Sequence, residues 1–158
     1  MSAYVAVIGA TNATEWELET AEELGRLLAE SGHVLVCGGL GGVMNAAARG
    51  AASAGGTSVG ILPGDERVGA SQYLTVAVAT GFGEARNAIV ARSADAVIAV
   101  GGEFGTLSEI ALALKMGRPV IGLGTWALGR DDLDRDPIIR AETPSEAMGR
   151  LSALVRPT

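Results

Sequence analysis

The chain has 158 residues, 48% of them apolar and 19% charged, with 23 glycines and a formal net charge of −6. That length suits one domain, expected to span 1–158, with a core of its own. A lone cysteine, Cys37, excludes an intramolecular disulfide, and a reducing, cytoplasmic compartment is the expected home. An acidic chain without a Lys/Arg cluster lacks the electrostatic footprint of a duplex nucleic-acid binder. No run reaches the roughly 18 apolar residues of a membrane span, and the opening MSAYVAVIGA has no basic n-region, so neither membrane insertion nor secretion is expected. Of the 12 basic residues only Lys115 is a lysine, and GxxxxGK[ST] is absent.

Short apolar runs alternate with helical patterns along the whole chain, which predicts βα units around a mostly parallel sheet with helices on both faces, a Rossmann-like doubly wound α/β fold. YVAVIG at 4–9 reads as a buried strand. Residues 18–29 follow as an amphipathic helix, with Ala21, Leu24, Leu27 and Leu28 on one face. HVLVCGG at 33–39 is the second strand, and 43–54 a helix of small residues able to lie close to the sheet or to another helix. TSVGIL at 57–62 is the third strand, 63–72 a loop with Asp65, Glu66 and Arg67, and LTVAVA at 74–79 the fourth strand.

Residues 84–93 read as a helix and ADAVIAV at 94–100 as the fifth strand. The next helix, 106–116, is apolar nearly all round, so both of its sides should be covered, one by the sheet and the other by a partner subunit. PVIGLG at 119–124 is the sixth strand and IIRA at 138–141 a short last one. A helix over 143–155 closes the chain, with Thr143 as N-cap, Pro144 in the first turn and Glu146 completing a capping box.

In such a sheet, ligands bind beyond the carboxyl ends of the strands. Three glycine-bearing turns fall there: GATN at 9–12, GGLGG at 38–42 and GGEFGT at 101–106. Glycine lets the backbone approach a ligand closely, and each following helix offers unpaired N–H groups, so a phosphate is the expected guest. The candidate binding residues are Gly9, Thr11, Gly39, Gly41, Gly42, Gly101, Gly102, Glu103, Phe104, Gly105 and Thr106. Tight βα connections need glycine for purely structural reasons too.

Other chemistries fit less well. GLGTWA at 122–127 has the letters of a dinucleotide fingerprint, but GRDDLDRDP follows where a helix should begin. DDLDRDP matches a calcium loop only in its acids. The one histidine, His33, starts its strand and lies far from the glycine turn, which argues against Ser-His-Asp, Cys-His and zinc centres. No metal and no cofactor is expected. What remains is carboxylate and arginine chemistry. Glu109 stands three residues after Thr106, either as a group facing the docked anion or as the second half of a TLSE capping box. Arg86 is either a surface arginine or a clamp for phosphate or carboxylate. Trp16 and Trp126 either stack on a ligand or simply pack.

The segment RNAIVARSADAVIAVGGEFGTLSEIALAL at 86–114 resembles the signature region of the LOG group of the SLOG superfamily, the cytokinin-activating phosphoribohydrolases often mislabelled lysine decarboxylases. Arg86 matches the arginine of that group's RK pair, and Gly102, Gly105, Thr106 and Glu109 match its PGGxGTxxE motif. CGGLGGVMNAAARGA at 37–51 is similar to the group's earlier glycine-rich turn. Three positions depart: Asn87 replaces the lysine, Gly101 the proline and Glu103 a glycine, where a carboxylate would repel phosphate unless turned away or protonated. The stretch 101–123 is closer to a sister branch that includes the molybdenum-cofactor carrier proteins.

The resemblance to the LOG group implies hydrolysis of the N-glycosidic bond of a nucleoside 5′-monophosphate to base and ribose 5-phosphate. In that reading Glu109 is the catalytic carboxylate and Arg86 holds the phosphate or ribose. The sister branch implies a non-catalytic carrier of a phosphorylated pterin, and a nucleotide sensor is a third reading. All three imply a small phosphorylated ligand, neither nucleic acid nor membrane as partner, and a homodimer or homotetramer.

Overall fold

The computed structural model describes residues 2–155; Met1 and 156–158, which the single domain was expected to include, lie outside the described residues. Seven parallel strands form one sheet: β1 (Tyr4–Gly9), β2 (Val34–Cys37), β3 (Ser58–Leu62), β4 (Val76–Ala79), β5 (Ala96–Val100), β6 (Val120–Leu123) and β7 (Ile139–Arg140), in the order β4-β3-β2-β1-β5-β6-β7. The helices are α1 (Glu15–Glu30), α2 (Val43–Ser53), α3 (Arg86–Ser93), α4 (Phe104–Lys115) and α5 (Pro144–Leu154). Among the described residues no helix is long and apolar enough to cross a membrane.

Alternation along each central strand builds two cores. Val5 and Val7 of β1 face one side with Ala96, Ile98 and Val100 of β5, against α1, α2 and α5. Ala6 and Ile8 face the other with Val97 and Ala99, against α3 and α4. A strand buried on both faces reads as a continuous apolar run, as YVAVIG and AVIAV do.

The small residues of α2 serve the helix–helix approach anticipated for them. A Cβ on Gly25 of α1 would lie 2.0 Å from the Ala47 carbonyl oxygen, and one on Gly50 of α2 would lie 1.9 Å from that of Glu22. The two backbones therefore touch at reciprocal glycines, with Ala46, Ala47 and Ala51 filling the seam.

Strands β2 to β7 are shorter by one to three residues than the apolar runs suggested, and three helix starts differ from the sequence expectation. Helix α1 starts at Glu15, three residues early, because Thr14 and Glu17 form a reciprocal capping box: the Glu17 N–H donates to Thr14 Oγ1 at 3.2 Å and the Thr14 N–H to the Glu17 carboxylate at 2.9 Å. The helix expected from residue 84 begins as a short 3-10 turn over Gly83–Ala85 and becomes α-helical only at Arg86. Helix α4 starts at Phe104 rather than 106. At α5, Thr143 Oγ1 accepts from the Glu146 N–H at 3.1 Å as expected. The Glu146 carboxylate, however, takes the Glu142 N–H rather than that of Thr143, so the capping box is displaced by one residue.

Candidate functional site

Connections from β1 run to β2 on one side of the sheet, and those from β5 to β6 on the other, while β1 and β5 pair with each other. This is the switch point at which open α/β sheets form a crevice beyond their strand ends. A cleft of about 1000 Å³ opens there, walled by Gly9, Ala10 and Thr11 after β1, Gly38 after β2, the segment 83–87, and 103–109 at the start of α4.

Its floor is a cation facing a carboxyl. Arg86 and Glu109 are 9% and 7% exposed, and their closest approach, Nη1 to Oε1, is 3.9 Å. That distance is beyond a hydrogen bond, so the two attract without saturating each other's donors and acceptors. Burial pushes the Glu109 carboxyl up to about 7, against the opposing pull of the Arg86 charge. Near neutral pH it therefore exists in both forms and can donate a hydrogen bond as well as accept one.

Glycine at 38 is what lets the arginine lie there. A Cβ at that position would fall 1.9 Å from Arg86 Nη1 and 2.5 Å from Met44 Sδ. The guanidinium thus passes directly over the bare Cα at the end of β2.

The structure decides against the capping reading of Glu109. With α4 beginning at Phe104 and Glu103 as its N-cap, Thr106 is the third helical residue and lies buried inside the first turn. Glu109 is then more than one turn into the helix and points to the cleft rather than back to a free N–H. The first-turn N–H groups of Phe104, Gly105 and Thr106 are those that an α-helix leaves without intrahelical partners, and all three residues wall the cleft.

Of the sequence candidates, Gly9, Thr11, Arg86, Glu103, Phe104, Gly105, Thr106 and Glu109 line the cleft, whereas Gly39, Gly41, Gly42, Gly101 and Gly102 do not. These five shape the turns instead. Gly39 abuts Leu62 and Gly60, Gly41 lies near Thr11, and Gly42 lies against the Ala10 and Thr11 carbonyls. The Val43 N–H at the start of α2 donates to the Ala10 carbonyl at 3.1 Å, so that helix end is partly satisfied by protein. Gly101 has φ +54 and Gly102 φ +97. Proline cannot adopt the former, so this turn does not accept the proline that the LOG motif has there. A side chain there would also strike Glu17 of α1.

The other two departures also have places. Glu103 is an exposed N-cap residue on the cleft rim, without a side-chain cap hydrogen bond. Asn87 Nδ2 donates to Ser108 Oγ at 3.0 Å, and Ser108 Oγ in turn donates to the Gly105 carbonyl. This ties α3 to the first turn of α4 with neutral groups where a lysine would bring charge. Gly38, Met44, Asn87 and Ser108 all line the cleft and were not singled out as site residues from the sequence. Gly38 carried a signal as the first residue of the 38–42 glycine turn, and Asn87 as a departure from the family pair.

Elsewhere, Cys37 is buried at the end of β2, and burial pushes its thiol up to about 11, so it is a core residue. His33 Nδ1 accepts the Ala3 N–H at 3.1 Å at the opposite sheet edge. Trp16 packs on Gly124, and Trp126 on Phe104 with centroids 5.5 Å apart.

A family model described as the SLOG cluster4 family matches residues 2–148. The chain belongs to the SLOG cluster4 family. A relative in Archaeoglobus fulgidus, an uncharacterized protein, is 49% identical over 119 residues, 75% of this chain and 78% of the relative. The molybdenum cofactor binding protein of the phototrophic bacterium Rippkaea orientalis superposes with a TM-score of 0.91 at 36% identity, over 99% of both chains. The molybdenum cofactor carrier protein of Chlamydomonas reinhardtii superposes at 0.83 with 34% identity, over 98% of both. DNA processing protein A of Helicobacter pylori, at 20% identity and a TM-score of 0.73, shares the fold with this SLOG cluster4 chain.

Proposed function

We propose that this SLOG cluster4 protein is a cytoplasmic carrier of a phosphorylated pterin, the molybdenum cofactor, held in the cleft between β1 and β5. The observation that carries the reading is the end-to-end likeness to the cofactor-binding proteins of Rippkaea orientalis and Chlamydomonas reinhardtii. The molybdenum belongs to the cargo. The N–H groups at the start of α4 and the Arg86 guanidinium supply donors for the phosphate. Glu109, protonated, donates to a phosphate oxygen instead of repelling it. A carrier needs only ground-state contacts of this kind, whereas turnover needs interactions that strengthen in the transition state.

One observation favours a second reading, the phosphoribohydrolase: a buried carboxyl brought to about 7 beside an arginine is also suited to general acid–base work. The protein purified from a host that makes the cofactor decides between them. Bound pterin is oxidised to its fluorescent form and counted, and base release from AMP, GMP, IMP, CMP and UMP is followed by chromatography. The carrier reading expects near-equimolar pterin and no released base. Base release by wild type that Glu109→Gln abolishes would establish the hydrolase instead.

The reading includes a homo-oligomer, a dimer or tetramer. The outer face of α4 supports it, since Ala111 is exposed and Leu107 and Leu114 are only half-buried. Light scattering in solution tests it.

A further inference from the structure

Resting on the proposal that the cleft takes a phosphorylated heterocycle, we propose that Phe104, backed by Trp126, is the stacking platform for the flat ring system of that ligand. Phe104 lines the cleft and is 77% exposed, although it is one of only two phenylalanines in the chain. Its ring is not left to swing freely. The Trp126 ring lies at 5.5 Å centroid distance and 38° tilt, a contact range typical of aromatic pairs.

Trp126 is fixed in turn. Its indole N–H donates to the Glu103 carbonyl at 3.1 Å, Thr125 Oγ1 donates to the Gly101 carbonyl, and Arg140 donates to the Trp126 carbonyl. The segment after β6 is thereby clasped onto the turn that opens α4. A pre-oriented aromatic face beside free helix N–H groups matches a ligand whose planar ring and phosphate are joined by a short linker. Charge alone holds such a ligand poorly, because among the described residues Arg86 is the one cation on a wall that also carries Glu84, Glu103 and Glu109. Stacking supplies affinity that does not depend on cations.

The test compares three probes by calorimetry: 6-hydroxymethylpterin phosphate, AMP and inorganic phosphate. Wild type is set against Phe104→Leu, which keeps apolar bulk without a π face, and Phe104→Trp, which restores one. Position 104 is exposed in the first turn of α4, so these variants are expected to melt as wild type does. Phe104→Leu should weaken whichever heterocyclic probe binds by roughly 5- to 150-fold, the usual range for loss of one base–aromatic stack. It should leave inorganic phosphate unchanged, and Phe104→Trp should restore the loss. In a Trp16→Phe background, which leaves Trp126 as the sole indole, binding of the ring should change the fluorescence.

An unchanged ring affinity in Phe104→Leu, or an equal loss for inorganic phosphate, overturns the platform while leaving the carrier reading standing. A Phe104-dependent AMP affinity with no pterin binding upholds the platform and overturns the carrier. Binding of inorganic phosphate with neither heterocycle overturns both.

Discussion

The burial of Glu109 makes a quantitative claim about folding. Its carboxyl ionises near 4.5 when exposed and near 7 in the fold, where it is 7% exposed. Below pH 4.5 both states hold the proton and no penalty exists. As pH rises, the unfolded chain releases the proton first, so stability falls until the folded carboxyl also ionises above about pH 7. A shift of this size at 1.36 kcal/mol per unit corresponds to about 3 kcal/mol in full, most of which accrues between pH 5 and 8. Glu109→Gln mimics the protonated form and has no such slope. Urea unfolding of both proteins across that range should therefore show the variant gaining about 2–3 kcal/mol relative to wild type on going from pH 5 to pH 8. For a chain of this length the same change corresponds to a relative melting shift of roughly 5–10 °C. A stability difference that stays flat across the range would refute the buried, near-neutral carboxyl and with it the donor role assigned to Glu109.

Three further outcomes follow from the same geometry. Gly38→Ala should leave the melting temperature within a few degrees, because the atoms nearest its Cβ are the movable ends of Arg86 and Met44. It should nevertheless weaken phosphate-ester binding about tenfold or more in a calorimetric titration by lifting the guanidinium from its seat. Gly25→Ala meets backbone instead of a side-chain tip, and despite better helix propensity it should cost about 1–3 kcal/mol in denaturant unfolding by forcing α1 from α2. Asn87→Lys adds a cation beside Ser108 and should tighten inorganic phosphate binding severalfold at low ionic strength, with the gain fading at high salt.

The fold was legible because strands buried on both faces announce themselves as unbroken apolar runs, and the order of βα units leaves few topologies once right-handed crossovers are assumed. Of the candidate site, the edge of the sheet where the cleft opens was legible, as were Arg86 and Glu109 among the residues that line it. What escaped turned on two-residue shifts. TLSE has the letters of a capping box, but the positive φ angles of Gly101 and Gly102 and the extended backbone of Glu103 start α4 at Phe104, which converts a possible cap into a buried wall of the cleft. The real box at Thr14 and Glu17 was spelled out in TEWE, yet the apolar periodicity that marks a helix begins only at Leu18. Contacts such as Asn87 with Ser108 and Gly38 beneath Arg86 join residues 21 and 48 positions apart, and no local pattern encodes them.

The charges around the cleft bear on which phosphorylated molecules suit it. A phosphate arriving at α4 meets one guanidinium and a row of backbone N–H groups, which together offset one phosphate group. Glu109 in its protonated form withdraws a negative charge from the floor, and Glu84 and Glu103 are exposed at the rim, where water and salt screen them. A second phosphate would find no further cation among the described residues of the cleft wall, because Asn87 occupies the position of the LOG lysine and meets Ser108 through neutral groups. Its charge would instead approach the rim carboxylates. On the proposed carrier reading the cleft therefore suits a ligand with a single phosphate and a large uncharged body, and the volume of about 1000 Å³ leaves room for that body along Phe104 and Leu112.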